Sequence, residues 1–297
     1  MVQGRPLIDD SARTRGRPLV MGILNVTPDS FSDGGRHHEP AAALDHALRL
    51  LEEGADLIDL GGESSRPGAD PVPLAVEWNR VGPVLERLAD HRHPRNQRAV
   101  VVSIDTTKPE IARRALETGA AIVNDIGGFR DPAMVAALAQ AQGEPGAIAM
   151  HMRGQPRTMQ HDPTYTEVVA EVGDFLAQRL DALVTAGIAR ERVCLDPGVG
   201  FGKTLDHNLA LLRSLPELNA RLRRPLLIGT SRKSMLGRLT GRDVNDRLPA
   251  SIASALAAAQ AGARVLRVHD VAATVDALTV WEAQVGWSPT LPSGFDH

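Results

Sequence analysis

Apolar residues in this chain fall into eight short runs, separated by longer stretches with a different spacing. The runs cover residues 19–24, 57–60, 100–104, 121–123, 147–150, 192–195, 225–228 and 264–268. They are near-continuous rather than alternating, the pattern of strands covered on both faces, as in a parallel sheet. In the stretches between them apolar positions recur three and four residues apart, as with Leu44, Leu48 and Leu51. That period predicts helices over residues 40–53, 76–89, 109–117, 131–142, 167–186, 207–215, 249–261 and 272–285. Asp131-Pro132 reads as an N-cap and first turn, and Gly54, Gly119, Gly187 and Gly262 stand where left-handed caps belong.

Alternation of this kind argues for parallel βα units. Eight units in one chain predict an α/β fold, a single-domain (β/α)8 TIM barrel, over an open doubly wound sheet. The boundaries read as a barrel over residues 18–287, a polar extension over 1–17 and a C-terminal tail over 288–297. In such a barrel the C-terminal ends of all strands meet on one face, where active sites lie. The residues there are Asn25, Glu63-Ser64-Ser65-Arg66, Asp105, Asn124, Asp196, Ser231-Arg232-Lys233, Arg267 and His269. So many polar strand ends, mixing carboxylates, amides and cations, are better explained by a ligand than by ordinary turns.

A formal net charge of −3 gives no sign of a nucleic-acid or membrane surface. No run approaches the roughly 20 apolar residues of a spanning helix, and residues 1–17 have no apolar core of signal-peptide length. The protein is expected to be soluble and cytoplasmic. The single cysteine, Cys194, leaves no internal disulfide and reads as buried filler. His91 and His93 lie on the polar connection 91–98 and read as solvated rather than metal-ligating. The segment 198–204 ends like a phosphate-binding loop, but that motif needs glycine at position 197, where proline stands. Asn25-Val26-Thr27 has the form of a glycosylation site, yet its asparagine ends a core strand.

The strand ends divide by charge. Asp105, Asn124 and Asp196 end strands three, four and six and make an acceptor-rich floor. A buried carboxylate needs donors, and the N–H/NH2 edge of a fused heterocycle such as a pterin or guanine satisfies both its oxygens. Pairing of these aspartates with Lys233 or Arg267 is the bland alternative. Met150 and Met152 suit packing around an aromatic ligand. Arg66, Arg267, His269 and the Ser65 hydroxyl form a cationic group suited to phosphate oxygens, strand eight being a usual phosphate site in these barrels. Asn25 and the oxygen-rich first loop could hold a Mg2+ that shares ligands with a diphosphate.

The segments GILNVTPDSFSDGG, DLGGESSRPGA, VSIDTTKPE, IVNDIGG, MHMRGQPRTMQ, LDPGVGFGK, GTSRKSMLG and RVHD, in this order, resemble the dihydropteroate synthase family from about Leu19 to Val285. The resemblance implies a transferase of folate biosynthesis, a sulfonamide target that joins 6-hydroxymethyl-7,8-dihydropterin diphosphate to 4-aminobenzoate and releases diphosphate. It implies Asn25 as the Mg2+ ligand, Ser65, Arg66, Arg267 and His269, with Asn25, as diphosphate contacts, and Asp105, Asn124, Met150, Asp196 and Lys233 as pterin contacts. Phe31, Asp33, Pro67, Phe201 and Ser231 would wall the aminobenzoate pocket, and Asp105, Asp196, Lys233, Arg267 and His269 would carry the catalysis. It also implies a homodimer. Ser65 departs from the family's more usual threonine, keeping the hydroxyl. The aryl amine is neutral near pH 7, so no strong base is demanded and an Sn1-like substitution follows. A methyltetrahydrofolate-binding corrinoid methyltransferase barrel would hold a pterin on Asp and Asn too, but it has no diphosphate for Arg66, Arg267 and His269 to bind. A non-catalytic pterin-binding relative would be expected to lose loop groups first, yet Asn25, Asp33, Arg66, Lys233 and His269 are all present.

Overall fold

The computed structural model describes residues 17–27, 39–64, 68–154 and 157–285. Eight strands run β1 Leu19–Asn25, β2 Leu57–Gly61, β3 Val102–Asp105, β4 Ile122–Asp125, β5 Gly146–Met150, β6 Val193–Asp196, β7 Leu227–Ile228 and β8 Val265–Val268. Ten helices follow them, namely α1 Glu39–Glu53, α2 Leu74–Ala89, α3 Pro109–Thr118, α4 Pro132–Ala139, α5 Val168–Thr185, α6 Leu205–Arg213, α7 Leu215–Leu222, α8 Ser234–Thr240, α9 Leu248–Gln260 and α10 Val271–Gln284. The strands form one parallel sheet in the order β6-β5-β4-β3-β2-β1-β8-β7. The ring closes between β6 and β7 through the parallel bridge of Leu195 with Leu226, where Leu195 N–H donates to the Pro225 carbonyl at 3.0 Å. The TIM barrel is therefore nearly closed.

The strands conceal a period of two. Val20, Leu24, Ile58, Leu60, Val102, Ile104, Val123, Val193, Leu195, Leu266 and Val268 pack outward into the large core shared with the helices. Their alternates Met21, Leu57, Val101, Ile122, Ile148, Cys194, Leu227 and Val265 form a separate apolar cluster that fills the N-terminal half of the barrel. One step further along the same inward-facing set come Asp59, Ser103, Asp105, Asn124, Asp196 and Arg267, all on the strands themselves. Side chains of one strand alternate between faces, so the apolar plug below dictates that these polar groups point inward above it. Register aligns Asn25 with Gly61, Gly61 with Asp105, and Asp105 with Asn124, placing four strand ends at one level.

The sequence reading and the structure differ in four places. The expected helix over 207–215 is α6, Leu205–Arg213, and a further helix, α7, follows after Ser214 with Pro216 in its first turn, where a missing N–H costs no helical bond. The extra helix α8 follows β7 and ends on Gly241 in the left-handed conformation, φ +71°. Strand β7 covers only Leu227–Ile228 of the expected run 225–228 and β3 begins at Val102 rather than at residue 100, whereas Asp105, Asn124 and Asp196 stand at the ends of their strands as expected. His93 is not solvated. It is buried, its Nε2 lies 2.9 Å from the Ala55 carbonyl, and its Nδ1 accepts from Arg95 N–H at 3.2 Å. Arg17 is tied to the barrel through Asp56 at 2.7 Å, and Asp56 also accepts from Val20 N–H. Among the described residues no helix is long and apolar enough to cross a membrane.

Candidate active site

The polar layer above the apolar plug is organised around Arg267. Its Nε donates to Asp59 Oδ2 at 2.5 Å and its Nη2 to Asp105 Oδ2 at 2.8 Å. Asp59 is fully buried and also accepts from Asn124 Nδ2, at 3.1 Å and 3.3 Å to its two oxygens. Two buried carboxylates thus share one guanidinium. Burial pushes the Asp105 carboxyl well above the usual range, and the nearby Asp59 and Glu77 carboxylates add to the shift, while Arg267 opposes it. Burial alone would lower Arg267, but Asp59 and Asp105 outweigh it and hold the guanidinium firmly charged. The Asn124 amide spends its N–H donors on Asp59, which leaves its carbonyl oxygen as the group available to a ligand.

Across the mouth, Asp196 is buried and its Oδ1 accepts from Gly198 N–H at 2.7 Å. Burial raises its pKa against the pull of Lys233. Lys233 donates to the Val199 carbonyl, and its ammonium stands 4.8 Å from the centre of the Phe201 ring. Burial pushes Lys233 down to about 8, with Asp196 opposing. Met150, aligned with Asp196 in the β5–β6 register, packs with Ile126, Met152, Met159 and Phe201. A carboxylate at the end of β6, an ammonium and a methionine cluster therefore stand together at this face of the barrel, a combination suited to a polar aromatic ligand.

Ser231 and His269 join the seventh and eighth strand ends. Ser231 Oγ lies 3.0 Å from His269 Nδ1 and accepts from His269 N–H at 3.2 Å. Between Ser231 and Lys233, Arg232 adopts φ +58°, a left-handed conformation unusual for a residue with a side chain. It is held there by an ion pair to Asp270, by its N–H donating to Ser251 Oγ at 3.0 Å, and by its carbonyl accepting from Arg247 Nη1 at 3.0 Å.

A second buried charge network supports the β2–α2 side. Glu77 on α2 is fully buried and accepts from Thr106 Oγ1 at 2.7 Å and Lys108 Nζ at 2.6 Å. Lys108 also pairs with Glu63, whose Oε1 accepts from Val72 N–H at 3.3 Å. Burial alone would lower the Lys108 pKa, but the hydrogen bonds to Glu63 and Glu77 more than offset it.

Of the residues singled out in the sequence, Asn25, Asp105, Asn124, Met150, Asp196, Phe201, Ser231, Lys233, Arg267 and His269 all lie at the C-terminal ends of the strands or in the loops directly after them. Phe31, Asp33, Ser65, Arg66 and Pro67 lie outside the described residues. Arg267 is not confined to a cationic rim, because its guanidinium is anchored in the acceptor floor. Asp59 went unnoticed in the sequence although a carboxylate within a strand buried at every position signals a partner. Glu77 and Lys108 went unnoticed as well, and Lys203 stood out only as part of the segment that ends like a phosphate-binding loop. Cys194 is buried as expected, and burial pushes its thiol up to about 12.

Comparison with known proteins follows this geometry. The sequence model for pterin binding enzymes matches residues 21–269. The dihydropteroate synthase of Neisseria meningitidis serogroup C is 50% identical over 270 residues, covering 90% of this chain and 93% of that protein. The Yersinia pestis dihydropteroate synthase in complex with a sulfonamide drug superposes with TM-score 0.85 at 44% identity, covering 96% of this chain and 98% of that one. The Burkholderia cenocepacia dihydropteroate synthase in complex with 7,8-dihydropteroate gives TM-score 0.80 at 50% identity, covering 92% and 93%.

The shared guanidinium makes a prediction about stability. Arg267→Met leaves Asp59 and Asp105 buried without their cation and should cost about 3–5 kcal/mol near pH 8, read by urea denaturation. The uncompensated carboxylates take up protons more readily folded than unfolded, so the deficit against wild type should shrink as pH falls. A deficit that stays constant or grows towards acid pH would contradict the two-to-one arrangement.

Proposed function

The chain belongs to the dihydropteroate synthase family of pterin-binding enzymes, and we propose that it joins 6-hydroxymethyl-7,8-dihydropterin diphosphate to 4-aminobenzoate, giving 7,8-dihydropteroate and diphosphate. The observation that carries this reading is the pair of buried carboxylates, Asp105 and Asp196, at the C-terminal ends of β3 and β6, with Arg267 paired to Asp105 and Met150 aligned with Asp196 across the β5–β6 register. The methyltransferase alternative has no use for the cationic pair of Arg267 and His269.

In this reading Asp105, Asn124, Asp196 and Lys233 take the polar edges of the pterin and Met150 packs on its face. A pterin edge that donates two N–H groups to a carboxylate favours the ionised form, so binding draws Asp105 and Asp196 back from their raised pKa values. Arg267 and His269, with Ser65 and Arg66, receive the diphosphate. Arg267 reaches it from a fixed position because Asp59 holds its Nε. Departure of the diphosphate leaves an electron-poor methylene carbon on the pterin, and the two carboxylates stabilise that charge where it develops. The neutral aryl amine then attacks, its lone pair forming the new C–N bond and its proton leaving to solvent or to the released diphosphate, an Sn1-like course. Phe201 and Ser231, with Phe31, Asp33 and Pro67, wall the space for that amine.

Asn25 is the group we assign to Mg2+. It ends β1 at the level of Gly61 and Asp105, so its side-chain oxygen stands at the C-terminal mouth of the barrel beside the Asp105 strand end. Among the described residues no group of three or more His, Cys, Asp or Glu side chains could hold a metal alone. The donor set fits a hard cation whose remaining ligands are water and phosphate oxygens, which is how Mg2+ is commonly held. When bound, it neutralises charge on the leaving diphosphate. We also read the protein as a cytoplasmic homodimer. The exposed Leu239, Val244 and Leu248, on or beside α8 and α9, support a buried surface between copies.

Diphosphate release should require both the pterin diphosphate and 4-aminobenzoate, measured by a coupled diphosphate assay with each substrate omitted in turn. Absence of release with both present, or equal release with 4-aminobenzoate omitted, would refute the assigned reaction. Removing divalent cations with a chelator should abolish most of that release, and Mg2+ should restore it. Full activity in the metal-free protein would remove Mg2+ and Asn25 from the account.

A further inference from the structure

The loop Gly198–Gly202 carries Phe201, yet it has no regular secondary structure to satisfy its carbonyls. One backbone bond, Phe201 N–H to the Gly198 carbonyl at 3.0 Å, closes the turn, and side chains reach all five carbonyls. The Val199 carbonyl accepts from Lys233, the Gly200 carbonyl from Gln160 Nε2 at 2.7 Å, and the Gly202 carbonyl from the Tyr165 hydroxyl at 2.8 Å. The remaining two, of Gly198 and Phe201, accept from one group, the ammonium of Lys203, at 2.9 Å and 3.0 Å. The same ammonium lies 3.3 Å from the His151 carbonyl and 2.9 Å from His151 Nδ1. Lys203 is buried, and no carboxylate is among its hydrogen-bond partners.

The backbone explains why a long cationic side chain is needed here. Gly198 and Gly202 adopt φ +67° and +62°, and a Cβ on either would fall 1.8 Å from the His151 carbonyl oxygen or 2.4 Å from that of Arg153. The loop therefore presses against the end of β5 with carbonyl oxygens of both segments converging. Such a cluster of partial negative charges repels itself unless donors lie between them. The Lys203 amine supplies its donors from one point to the Gly198, Phe201 and His151 carbonyls and the His151 ring, two of these four sharing a donor when it is an ammonium. Burial pushes its pKa down to about 7, with Asp196 opposing. His151 completes the arrangement as an acceptor, because burial and the adjacent Lys203 charge push its pKa down to about 3 and keep it neutral. Its ring is packed edge-on against Phe175 at 5.0 Å and near Tyr165 at 6.1 Å, so the acceptor cannot swing away.

We propose that Lys203 is a positioning residue for the second substrate: its ammonium fastens the β6 loop to the end of β5, and so fixes the Phe201 ring. The proposal rests on the reading of Phe201 as a wall of the aminobenzoate space. Of the groups assigned to the pterin, Asp105 and Asn124 stand on β3 and β4, where Lys203 has no hydrogen-bond partner, and Met150 and Asp196 are strand residues held by the β5–β6 register rather than by the loop.

Lys203→Met keeps the length and loses the donors. The variant should raise the KM for 4-aminobenzoate about ten-fold or more, while calorimetric affinity for a dihydropterin changes by less than about three-fold. Loss of global folding alone would lower the active fraction and leave KM unmoved. His151→Phe, which keeps the ring packing and removes only the imidazole acceptor, should shift the same KM in the same direction by a smaller factor, and it carries the test if Lys203→Met does not fold. Wild-type protein assayed alongside separates the two claims. A wild type that releases no diphosphate refutes the proposed reaction. A wild type that turns over, with the 4-aminobenzoate KM of both variants unchanged or with dihydropterin affinity falling as far as that KM rises, refutes the positioning of the loop by Lys203.

Discussion

One guanidinium divided between two buried carboxylates sets the terms for the rest of the site. Arg267 reaches Asp59 and Asp105 at 2.5 Å and 2.8 Å, inside a barrel whose lower half is apolar. Ion pairs removed from water must be satisfied by geometry, because each charge loses its hydration. Here the satisfaction is incomplete by one charge. Asp59, at the deeper level, is saturated by Arg267 and by the Asn124 amide, and the shortfall is left on Asp105 at the mouth. A site with an unsatisfied acid facing outward gains stability from a ligand that brings N–H donors. The recognition of a donor-rich heterocycle follows from that imbalance.

The scaffold makes the imbalance tolerable. The apolar plug of Met21, Leu57, Val101, Ile122, Ile148, Cys194, Leu227 and Val265 fixes which strand faces point inward, and hence where each polar end must stand. Outside the ring, Glu77, Lys108 and Thr106 place a second set of buried charges behind β3. On the opposite side, Lys203 and Arg232 hold two loops whose backbones would otherwise not keep their shapes. Binding groups on the strands are thus rigid, whereas those on loops depend on specific ion pairs and hydrogen bonds, which is where substitutions should separate one substrate from the other.

Much of this was legible in the residues. The eight apolar runs, their alternation with helical spacing and the polar strand ends led to the barrel and to the strand-end candidates, while Phe201 came only from the family resemblance. What was lost was lost for physical reasons. A strand covered on both faces reads as a continuous apolar run, so the alternation that sends Asp59 inward beside Leu57 is invisible in LIDLG. Helix boundaries blurred where Pro216 begins a second helix one residue after the first has ended. His93 sits among polar neighbours in sequence but finds the Ala55 carbonyl, 38 residues away. Lys203 resembled a phosphate-binding lysine locally, and its partners at His151 could be known only once β5 and β6 were seen side by side. Asp105, Asn124 and Asp196 were readable because they end their strands, where the apolar pattern itself breaks.

The central claim is that Asp105 holds a proton more tightly than a free carboxyl and surrenders it when a pterin arrives. Counting protons tests this most directly. Calorimetric titration of a 7,8-dihydropterin in buffers of different ionisation enthalpy, near pH 6 and again near pH 8, gives the number exchanged on binding. The account predicts net proton release near pH 6 that fades towards pH 8, and a smaller release in Asp105→Asn. Proton uptake near pH 6, or an exchange that Asp105→Asn leaves unchanged, would contradict it.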